Sequence, residues 1–477
     1  MRRFTTIFLL LLLFCAPAFS NELIDHISYG KFGKITVYHP ENTPTSVVLF
    51  VSGDGGWKDA VVVMAKDMAA EGALVLGIDA RHYSYYLSEV SAACLYPAAD
   101  FEELSLSVQK KYKLVNYHKP VLMGYSYGAV LVYGSLVQAP PDTFRGAIAL
   151  GFSPDINLKK TLCRGNGLTQ HVLKKGFSYY LESTKSLTAP FIVLNGEKDL
   201  TCPFGASAAF LKGMPMTELI ALPKVGHGFL NHADWQPELK TAFKKILSAP
   251  TFTEQKSMEH KAIADRQLKP YTGNLPLILI PIAKKNNLPM VFMISGDGGW
   301  TGFDQSLAES LAAKGLAVLG LDAQKYFWNA KTPENTALEI AKAIQHYKEE
   351  LGKESFILAG YSFGASIVPF VANRLSPELK ADLKAVISLS PDVTADFEIH
   401  LIDLLNFGSS KNKYDVIAEI KRIKTADQVS IFGTGEGNSI KSKFIKSGLK
   451  VLTIAGDHHF NKDYAAIAAA FLKQVSE

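Results

Sequence analysis

The hexapeptide SGDGGW occurs twice in this chain, at Ser52–Trp57 and again at Ser295–Trp300. Each copy is followed by a Gly-Tyr-Ser-aromatic-Gly-Ala segment, at Gly124–Ala129 and Gly360–Ala365. A Gly-x-Ser-x-Gly motif between an apolar strand and a helix forms a nucleophile elbow, which exposes a serine hydroxyl at the edge of a sheet. The two copies therefore predict a duplicated strand–turn–helix scaffold.

The spacing within each copy supports this duplication. Asp79 and Asp322 each lie 27 residues after the first serine of their hexapeptide (79 − 52 and 322 − 295). The elbow serines, Ser126 and Ser362, follow that serine by 74 and 67 residues (126 − 52 and 362 − 295). We therefore expect a short insertion in the first copy, within Tyr85–Pro97.

Length and composition indicate a globular protein with more than one domain. The chain has 477 residues, of which 48% are hydrophobic and 20% are charged, and its net charge is +5. No Lys/Arg-dense tract with interleaved aromatic residues occurs, so a nucleic-acid partner is not expected. Apolar periodicity is lost over residues 249–273, which predicts a linker with about one helical turn between domains over 21–248 and 274–477.

The first twenty residues have the pattern of a secretory signal peptide. Arg2 and Arg3 precede the apolar run Ile7–Phe14, and the small-x-small sequence Ala18–Ser20 precedes Asn21. The run is shorter than the ~20 residues needed to span a bilayer, and no later segment has transmembrane character. We expect cleavage after residue 20 and a periplasmic protein; an uncleaved anchor is the alternative.

Three cysteines remain after such cleavage, namely Cys94, Cys163 and Cys202. An oxidising compartment would pair two of them and leave one over. The sequence does not fix the pairing. We expect Cys163 with Cys202, because both lie in loops that follow the C-terminal ends of expected strands.

Each half alternates short apolar runs with longer helical patterns, which is typical of a parallel sheet covered by helices on both faces. We predict two tandem α/β doubly wound domains of the α/β-hydrolase type. The second domain opens with the apolar run LPLILIPI. The expected strands are Val47–Ser52, Leu74–Ile78, Val121–Gly124, Gly146–Leu150, Phe191–Leu194 and Glu218–Leu222 in the first half, and Met290–Ser295, Ala317–Leu321, Phe356–Gly360, Ala385–Leu389, Val429–Phe432 and Lys450–Ile454 in the second.

The first half contains a complete set of residues for nucleophilic catalysis. A serine hydroxyl is a weak nucleophile and needs a histidine base, which needs an acid to orient it. In this scaffold the chain order is Ser, then Asp or Glu, then His. Ser126, Asp199 and His227 follow that order, and the last two come directly after expected strands. We predict these three as one triad; a surface or packing role is the alternative for His227.

The second half supplies Ser362, Glu436 and His458 in the same order. Glu436 follows its serine by 74 residues (436 − 362), and the first-half acid follows its serine by 73 (199 − 126). His459 is an adjacent histidine, but no third ligand has the spacing of a metal site. We therefore expect neither a metal nor another cofactor.

Asp392 competes with Glu436 for the acid role because it also follows an expected strand, and Asp155 has the same place in the first half. An Asp after Ser-Pro is more commonly a helix cap, and that role stays open for both. Glu436 is favoured because its position matches that of Asp199.

The hexapeptide lies where this scaffold has a loop that stabilises the oxyanion of the transition state. Its glycines would let backbone N–H groups face the substrate, and the residue after each elbow serine would supply a second donor. Asp54 and Asp297 either brace this loop or attract a substrate cation, whereas Trp57 and Trp300 are expected to pack in the core. The expected donors are Gly55, Gly56 and Tyr127 in the first half and Gly298, Gly299 and Phe363 in the second.

Five stretches of the second half carry a family resemblance: SGDGGW, GLDAQKYFWNAKTPE (Gly320–Glu334), GYSFGA, ADFEIH (Ala395–His400) and GDHHF (Gly456–Phe460). Through them the second half resembles the VirJ/AcvB family of exported bacterial virulence proteins. The first half shares the hexapeptide and the elbow but reads GIDARHYSYY at Gly77–Tyr86. The whole chain resembles the long, two-part AcvB-like form.

The resemblance implies a periplasmic α/β-hydrolase that cleaves the aminoacyl ester of lysyl-phosphatidylglycerol, an aminoacylated phospholipid at the membrane surface. It implies Ser362, Glu436 and His458 as the catalytic residues. The complete triad of the first half leaves a second active site open. Asp297, Asp392 and His459 are weaker candidates for contacts with the substrate.

Two other functions remain open at this point. One is a general carboxylesterase or lipase, and the other is a non-catalytic periplasmic binding or assembly factor linked to secretion. The sequence does not decide between a lysyl and an alanyl lipid.

Overall fold

The computed structural model describes residues 24–263, 269, 271–399 and 414–476. Within them, two large sheets follow one another along the chain. The prediction of a duplicated α/β fold is confirmed, and the domain boundaries near residues 248 and 274 stay predictions. The expected signal peptide, residues 1–20, lies outside the described residues.

The first sheet consists of β1 (Ile24–Tyr29), β2 (Gly33–Tyr38), β3 (Ser46–Val51), β4 (Ala73–Ile78), β5 (Val121–Tyr125), β6 (Gly146–Leu150), β10 (Phe191–Gly196) and β11 (Thr217–Leu222). A small sheet of β7 (Asp155–Asn157), β8 (Gln170–Lys174) and β9 (Ser178–Leu181) is inserted between β6 and β10. The order in the large sheet is β1-β2-β4-β3-β5-β6-β10-β11. From β4 to β11 in this order all neighbours are parallel.

The second sheet repeats this plan with β12 (Leu277–Ile280), β13 (Met290–Ile294), β14 (Val318–Leu321), β15 (Phe356–Tyr361), β16 (Leu383–Leu389), β19 (Asp427–Gly433) and β20 (Val451–Ile454). A two-stranded sheet of β17 (Thr394–Ala395) and β18 (Tyr414–Asp415) follows β16 in the chain. The order is β12-β14-β13-β15-β16-β19-β20, with only β12 antiparallel to its neighbour. In both sheets the order of strands changes direction next to the strand that leads into the elbow. The chain adds β4 on one side of β3 and then β5 on the other, and it adds β14 and β15 around β13 in the same way.

Helices cover both sheets. Those of the first half are α1 (Ala60–Ala70), α2 (Ala80–Glu89), α3 (Pro97–Lys111), α4 (Tyr127–Gln138), α5 (Phe204–Leu211) and α6 (Gln236–Ser248), followed by α7 (Phe252–Ile263). Those of the second half are α8 (Gly302–Ala313), α9 (Ala323–Tyr326), α10 (Pro333–Leu351), α11 (Phe363–Arg374), α12 (Pro377–Asp382), α13 (Val416–Ile420), α14 (Asn438–Lys446) and α15 (Tyr464–Ser476). Among the described residues, no helix combines the length and the apolar character needed to cross a bilayer.

Each sheet is buried on both faces, as the continuous apolar runs predicted, and each therefore has one core cluster on either side. The two tryptophans of the hexapeptides belong to these cores. A Cβ added to Gly320 of β14 would lie 2.1 Å from the ring of Trp300. A Cβ added to Gly77 of β4 would lie 2.2 Å from the ring of Trp57. The expected packing role of both residues is confirmed.

All twelve expected strands of the two sheets are present, with ends shifted by up to two residues. The antiparallel hairpin β1–β2 was not expected. Its residues alternate between more and less exposed positions, and this short alternating pattern was available in the sequence. Part of the expected linker is the 12-residue helix α7, so the expectation of a single helical turn was wrong. Asp142 accepts hydrogen bonds from the first backbone amides of that helix, at 3.0 Å.

The expected pairing of Cys163 with Cys202 was also wrong. The disulfide joins Cys94 to Cys163, and Cys202 is a buried free thiol. Cys94 lies in the expected insertion between α2 and α3. From Asp79 to the start of α3 there are 18 residues (97 − 79), and the equivalent distance in the second half is 11 (333 − 322). The difference of seven residues accounts for the unequal spacing of the two elbows.

Candidate active site

Both elbow serines have the strained backbone of a nucleophile. Ser362 joins β15 to α11 at φ 52° and ψ −111°, and Ser126 joins β5 to α4 at φ 53° and ψ −116°. A side chain is rarely tolerated at positive φ, and such strain is concentrated at functional sites. A Cβ on Gly364 would lie 2.2 Å from the Ile294 backbone oxygen, so only glycine fits this turn.

The structure brings Ser362, His458 and Glu436 together. His458 Nε2 is 3.0 Å from Ser362 Oγ, and His458 Nδ1 is 3.1 Å from Glu436 Oε2. An ionised carboxylate only accepts hydrogen bonds, so Nδ1 carries the proton and Nε2 is left to accept from the serine hydroxyl. This is the tautomer that a general base requires.

Further hydrogen bonds fix the Glu436 carboxylate. Its Oε1 accepts from Ser390 Oγ at 2.6 Å and from the Gly433 N–H at 2.5 Å. Burial acts to raise the pKa of Glu436, but the hydrogen bonds from His458, Ser390 and Gly433 outweigh it and lower the pKa. The acid is therefore kept ionised and oriented toward the histidine.

The first half has the same arrangement with an aspartate. His227 Nε2 is 3.0 Å from Ser126 Oγ, and His227 Nδ1 is 2.9 Å from Asp199 Oδ2. Asp199 Oδ1 accepts from the backbone amides of Thr201 and Cys202, at 2.9 and 2.8 Å. The two triads are thus alike in geometry, and both lie at the C-terminal ends of the parallel strands of their sheet.

Asp392 is placed in the pocket rather than in the triad. Its carboxylate accepts the N–H of Val393, and its own N–H donates to Ser366 Oγ at 3.0 Å. Glu436, not Asp392, is the hydrogen-bond partner of His458. The helix-cap alternative was wrong for Asp392 and for Asp155, because short strands, β17 and β7, follow or contain these positions.

The expected oxyanion donors of the second half need correction. The Gly299 N–H donates to the Gly296 oxygen at 3.0 Å, and the Gly298 N–H donates to Asp297 Oδ1 at 3.1 Å. Both amides are therefore engaged within the loop. Phe363 is the first residue of α11, and its donor role stays a prediction.

The first-half loop differs from the expectation in one of its two glycines. The Gly56 N–H donates to the Gly53 oxygen at 3.0 Å, so it closes a turn instead of facing the serine. Gly53 lies closest to the nucleophile, because a Cβ on it would be 3.2 Å from the Ser126 Cβ. Gly53 was not expected as part of the site, although it directly follows the expected strand Val47–Ser52. The roles of Gly55 and Tyr127 stay predictions.

The C-terminal triad opens into a cavity of about 460 Å³ with an acidic lining. Ser362, His458 and Glu436 are among its lining residues. The other carboxylates that line it are those of Asp297, Asp392, Asp396 and Glu398. Two of these were expected as substrate contacts, whereas Asp396 and Glu398 were missed. They occur in the ADFEIH stretch, where alternate acidic residues were a signal.

His459, the third expected contact, does not line this cavity. Its ring lies 5.7 Å from the ring of Phe303 and 6.1 Å from that of Tyr361, measured between centroids. Tyr361 also donates a hydrogen bond to the His458 backbone oxygen at 3.3 Å. His459 thus packs behind the triad rather than in front of it.

One cluster in the described part of the chain has the composition of a metal site. Ligand atoms of Asp199, Cys202 and His227 lie within 4.8 Å of one another. Two of these residues already form the first triad, and burial raises the pKa of the Cys202 thiol to about 12. Within this cluster Asp199 and His227 hydrogen-bond to each other, and Cys202 is a buried free thiol beside them.

The VirJ family of bacterial virulence proteins matches residues 45–151 and 289–477, which include both hexapeptides and both elbows. The chain belongs to this family. The match to the VirJ family confirms the resemblance seen in the sequence. None of the curated proteins matches the chain.

Several solved structures are similar to about half of this VirJ-family chain. Est1E from Butyrivibrio proteoclasticus has 14% identity, a TM-score of 0.32, and coverage of 47% of this chain and 99% of its own. The esterase Est2 from the Planctomycetes species Thermogutta terrifontis has 19% identity, a TM-score of 0.33, and coverage of 47% and 94%. A serine hydrolase homologue from Coxiella burnetii has 16% identity, a TM-score of 0.32, and coverage of 47% and 97%. Because these scores are low, the fold is assigned from the strand order and the elbows.

Proposed function

We propose that this protein is a periplasmic serine hydrolase that cleaves the aminoacyl ester of lysyl-phosphatidylglycerol at Ser362. The observation that carries the substrate class is the acidic cavity in front of the C-terminal triad. Four carboxylates besides Glu436 line it, and a lysyl group carries two ammonium groups. Carboxylates that line a cavity favour a cationic acyl group over a neutral one.

The triad geometry supports an acyl-enzyme mechanism. Ser362 Oγ attacks the ester carbonyl while His458 takes its proton, and Glu436 stabilises the imidazolium that forms. His458 then gives the proton to the leaving glycerol oxygen of phosphatidylglycerol. Water, activated by the same histidine, hydrolyses the lysyl ester on the serine and releases lysine.

Two features support export to the periplasm. The N-terminal twenty residues have the pattern of a signal peptide, and a disulfide joins Cys94 to Cys163. Disulfides persist in oxidising compartments such as the bacterial periplasm. The ester of the proposed lipid substrate would be reached there at the membrane surface.

We propose Ser126, Asp199 and His227 as a second hydrolytic centre. Their distances match those of the C-terminal triad, and a non-catalytic binding factor has no need for such alignment. The acyl group that this centre accepts differs from the lysyl group, because only two of the four acidic cavity residues, Asp297 and Asp392, have acidic counterparts in the first half, Asp54 and Asp155, whereas Asp396 and Glu398 have none. Counted from Asp155 and Asp392, Lys159 stands where the second half has Asp396.

The decisive experiment uses the exported full chain with vesicles that contain lysyl-phosphatidylglycerol, and measures free lysine. Ser362→Ala should abolish release, whereas Ser126→Ala should leave most of it. Alanyl-phosphatidylglycerol vesicles test the charge preference, and p-nitrophenyl acetate tests general esterase activity. If the wild type released no lysine but cleaved the small ester, a general carboxylesterase would replace the proposal. If neither substrate were cleaved, a non-catalytic binding factor would replace the proposal.

A further inference from the structure

The segment that carries two of the cavity's carboxylates contacts the first half of the chain. Residues 394–399, here called the wall segment, include Asp396 and Glu398 of the cavity lining. Glu398 Oε1 accepts a hydrogen bond from Lys110 Nζ at 2.9 Å. Lys110 belongs to the last turn of α3 in the first half. A cation from one half is thus paired with an anion of the other half's cavity.

Lys110 also contacts Trp328, which lies in the loop between α9 and α10. Its Nζ donates to the Trp328 backbone oxygen and lies 4.5 Å from the centroid of the indole ring. Trp328 is 2% exposed, and its indole N–H donates to the Leu114 oxygen of the first half at 2.9 Å. An ammonium over an indole adds a cation–π attraction to these hydrogen bonds.

The Trp328 loop and the wall segment are themselves joined. The Ile399 N–H donates to the Phe327 oxygen at 2.8 Å, and the Lys331 N–H donates to the Phe397 oxygen at 2.9 Å. Lys110 bridges the two joined segments from outside the second sheet. Its side chain is 24% exposed and that of Glu398 is 30% exposed, so water screens the pair only in part.

The first half fixes the equivalent segment in a different way. Counted from the Ser-Pro-Asp sequence, Thr161 corresponds to Glu398. The Leu95 N–H donates to the Thr161 oxygen at 2.9 Å, and the Cys163 N–H donates to the Leu95 oxygen at 2.7 Å. The disulfide from Cys94 to Cys163 adds a covalent link. Cys94 and Leu95 belong to the insertion that the second half lacks.

We propose that the first half completes the substrate cavity of the second, with Lys110 as a positioning residue that sets acyl-group specificity through Glu398 and the wall segment. The proposal rests on the proposed function for its substrate, a lysyl ester. The second half has no such insertion, so its wall segment is held by the backbone hydrogen bonds to the Trp328 loop and, from the first half, by Lys110. The N-terminal half is then part of the C-terminal active site in addition to having its own triad.

The test compares Lys110→Met with Lys110→Arg in the full chain. Methionine keeps the apolar stem but removes the charge and the donor, whereas arginine keeps both. We expect Lys110→Met to raise KM for lysyl-phosphatidylglycerol vesicles by about fivefold, because the wall segment loses a hydrogen-bonded contact and its carboxylates shift, which outweighs the charge freed on Glu398. The value of kcat should stay within about twofold, because the triad is not touched. Lys110→Arg should restore most of the loss. Lys66→Met, at an exposed position of α1 in the same half, is the matched control.

Amide hydrogen exchange gives a readout that does not depend on the substrate. In Lys110→Met the amides of Lys331 and Ile399 should exchange faster, while those of the strands beside Ser362 stay protected. Unchanged KM with unchanged exchange at these amides would overturn the proposal. A loss in kcat as large as the change in KM, together with faster exchange throughout the second sheet, would show that Lys110 contributes only to general stability. This result would also overturn the proposal.

The two proposals fail separately. A wild type that releases no lysine removes the proposed function, and the exchange of Lys331 and Ile399 in Lys110→Met still decides whether Lys110 positions the wall segment. A wild type that releases lysine, with Lys110→Met indistinguishable from it in both measurements, removes only the inference about Lys110.

Discussion

Replacing Glu436 by glutamine tests the C-terminal triad at its most defined contact. Glu436 Oε1 accepts from Ser390 Oγ and from the Gly433 N–H, and its Oε2 faces His458 Nδ1. A backbone N–H can only donate, so the glutamine oxygen must take the Oε1 position. The amide nitrogen then faces Nδ1 and donates to it. This forces the proton of His458 onto Nε2, which is the wrong tautomer for accepting the proton of Ser362.

The expected loss has two parts. Unit charges 3.1 Å apart attract by about 5 kcal/mol at an effective dielectric constant of about 20. The His458 side chain is 44% exposed, so we discount this by about half, which leaves roughly a 100-fold effect on imidazolium formation. The wrong tautomer adds to this, and we expect kcat to fall by about 10³-fold or more.

The assay is lysine release from lysyl-phosphatidylglycerol vesicles, with Asp392→Asn as the matched control. The control removes a cavity carboxylate that does not contact His458, so it should raise KM and leave kcat within a few-fold. If Glu436→Gln lost less than about tenfold in kcat while Asp392→Asn lost far more, the acid assignment would be wrong.

Three other outcomes follow from the structure. Cys94→Ser should lower the free energy of unfolding of the first half by roughly 4 kcal/mol, because the disulfide to Cys163 closes a separation of 69 residues. Denaturant titrations with and without reductant measure this loss, and the control Cys202→Ser should not show it. Gly364→Ala should prevent fluorophosphonate labelling of the second elbow, since its Cβ would lie 2.2 Å from a backbone oxygen of β13; equal labelling in variant and wild type would contradict the packing. Folding lowers the pKa of Glu436, so the ionised carboxylate stabilises the folded state at pH values above its unfolded pKa. This stabilisation is lost as the pH falls through the folded pKa. In acid unfolding curves the stability advantage of wild type over Glu436→Gln should therefore shrink below about pH 4.

Much of the fold could be predicted because parallel strands that are buried on both faces have continuous apolar sequences. The hairpin β1–β2 was missed because its two strands are short and alternate, which is a weaker pattern than an apolar run. Helix α7 was missed because its sequence lacks sustained apolar periodicity. The stabilising contact is a tertiary one, the Asp142 carboxylate on its first amides.

The candidate active site, too, could be predicted only in part. Ser362, Glu436 and His458 could be placed in order along the chain, because the scaffold puts each after a particular strand. The oxyanion loop could not be assigned amide by amide. Its amide partners depend on the turn that the loop forms, and the sequence does not show that the Gly299 N–H closes this turn.

The sequence by itself determined the duplication, the α/β class and the residue types of two triads, because these depend on local patterns and on their order along the chain. Only the tertiary structure decided which cysteine pairs with Cys163, which carboxylate meets His458, and that Lys110 reaches Glu398 from the other half. Each of these contacts joins residues far apart in sequence. Their distance in space is set by how sheets and loops pack, and no local pattern encodes it.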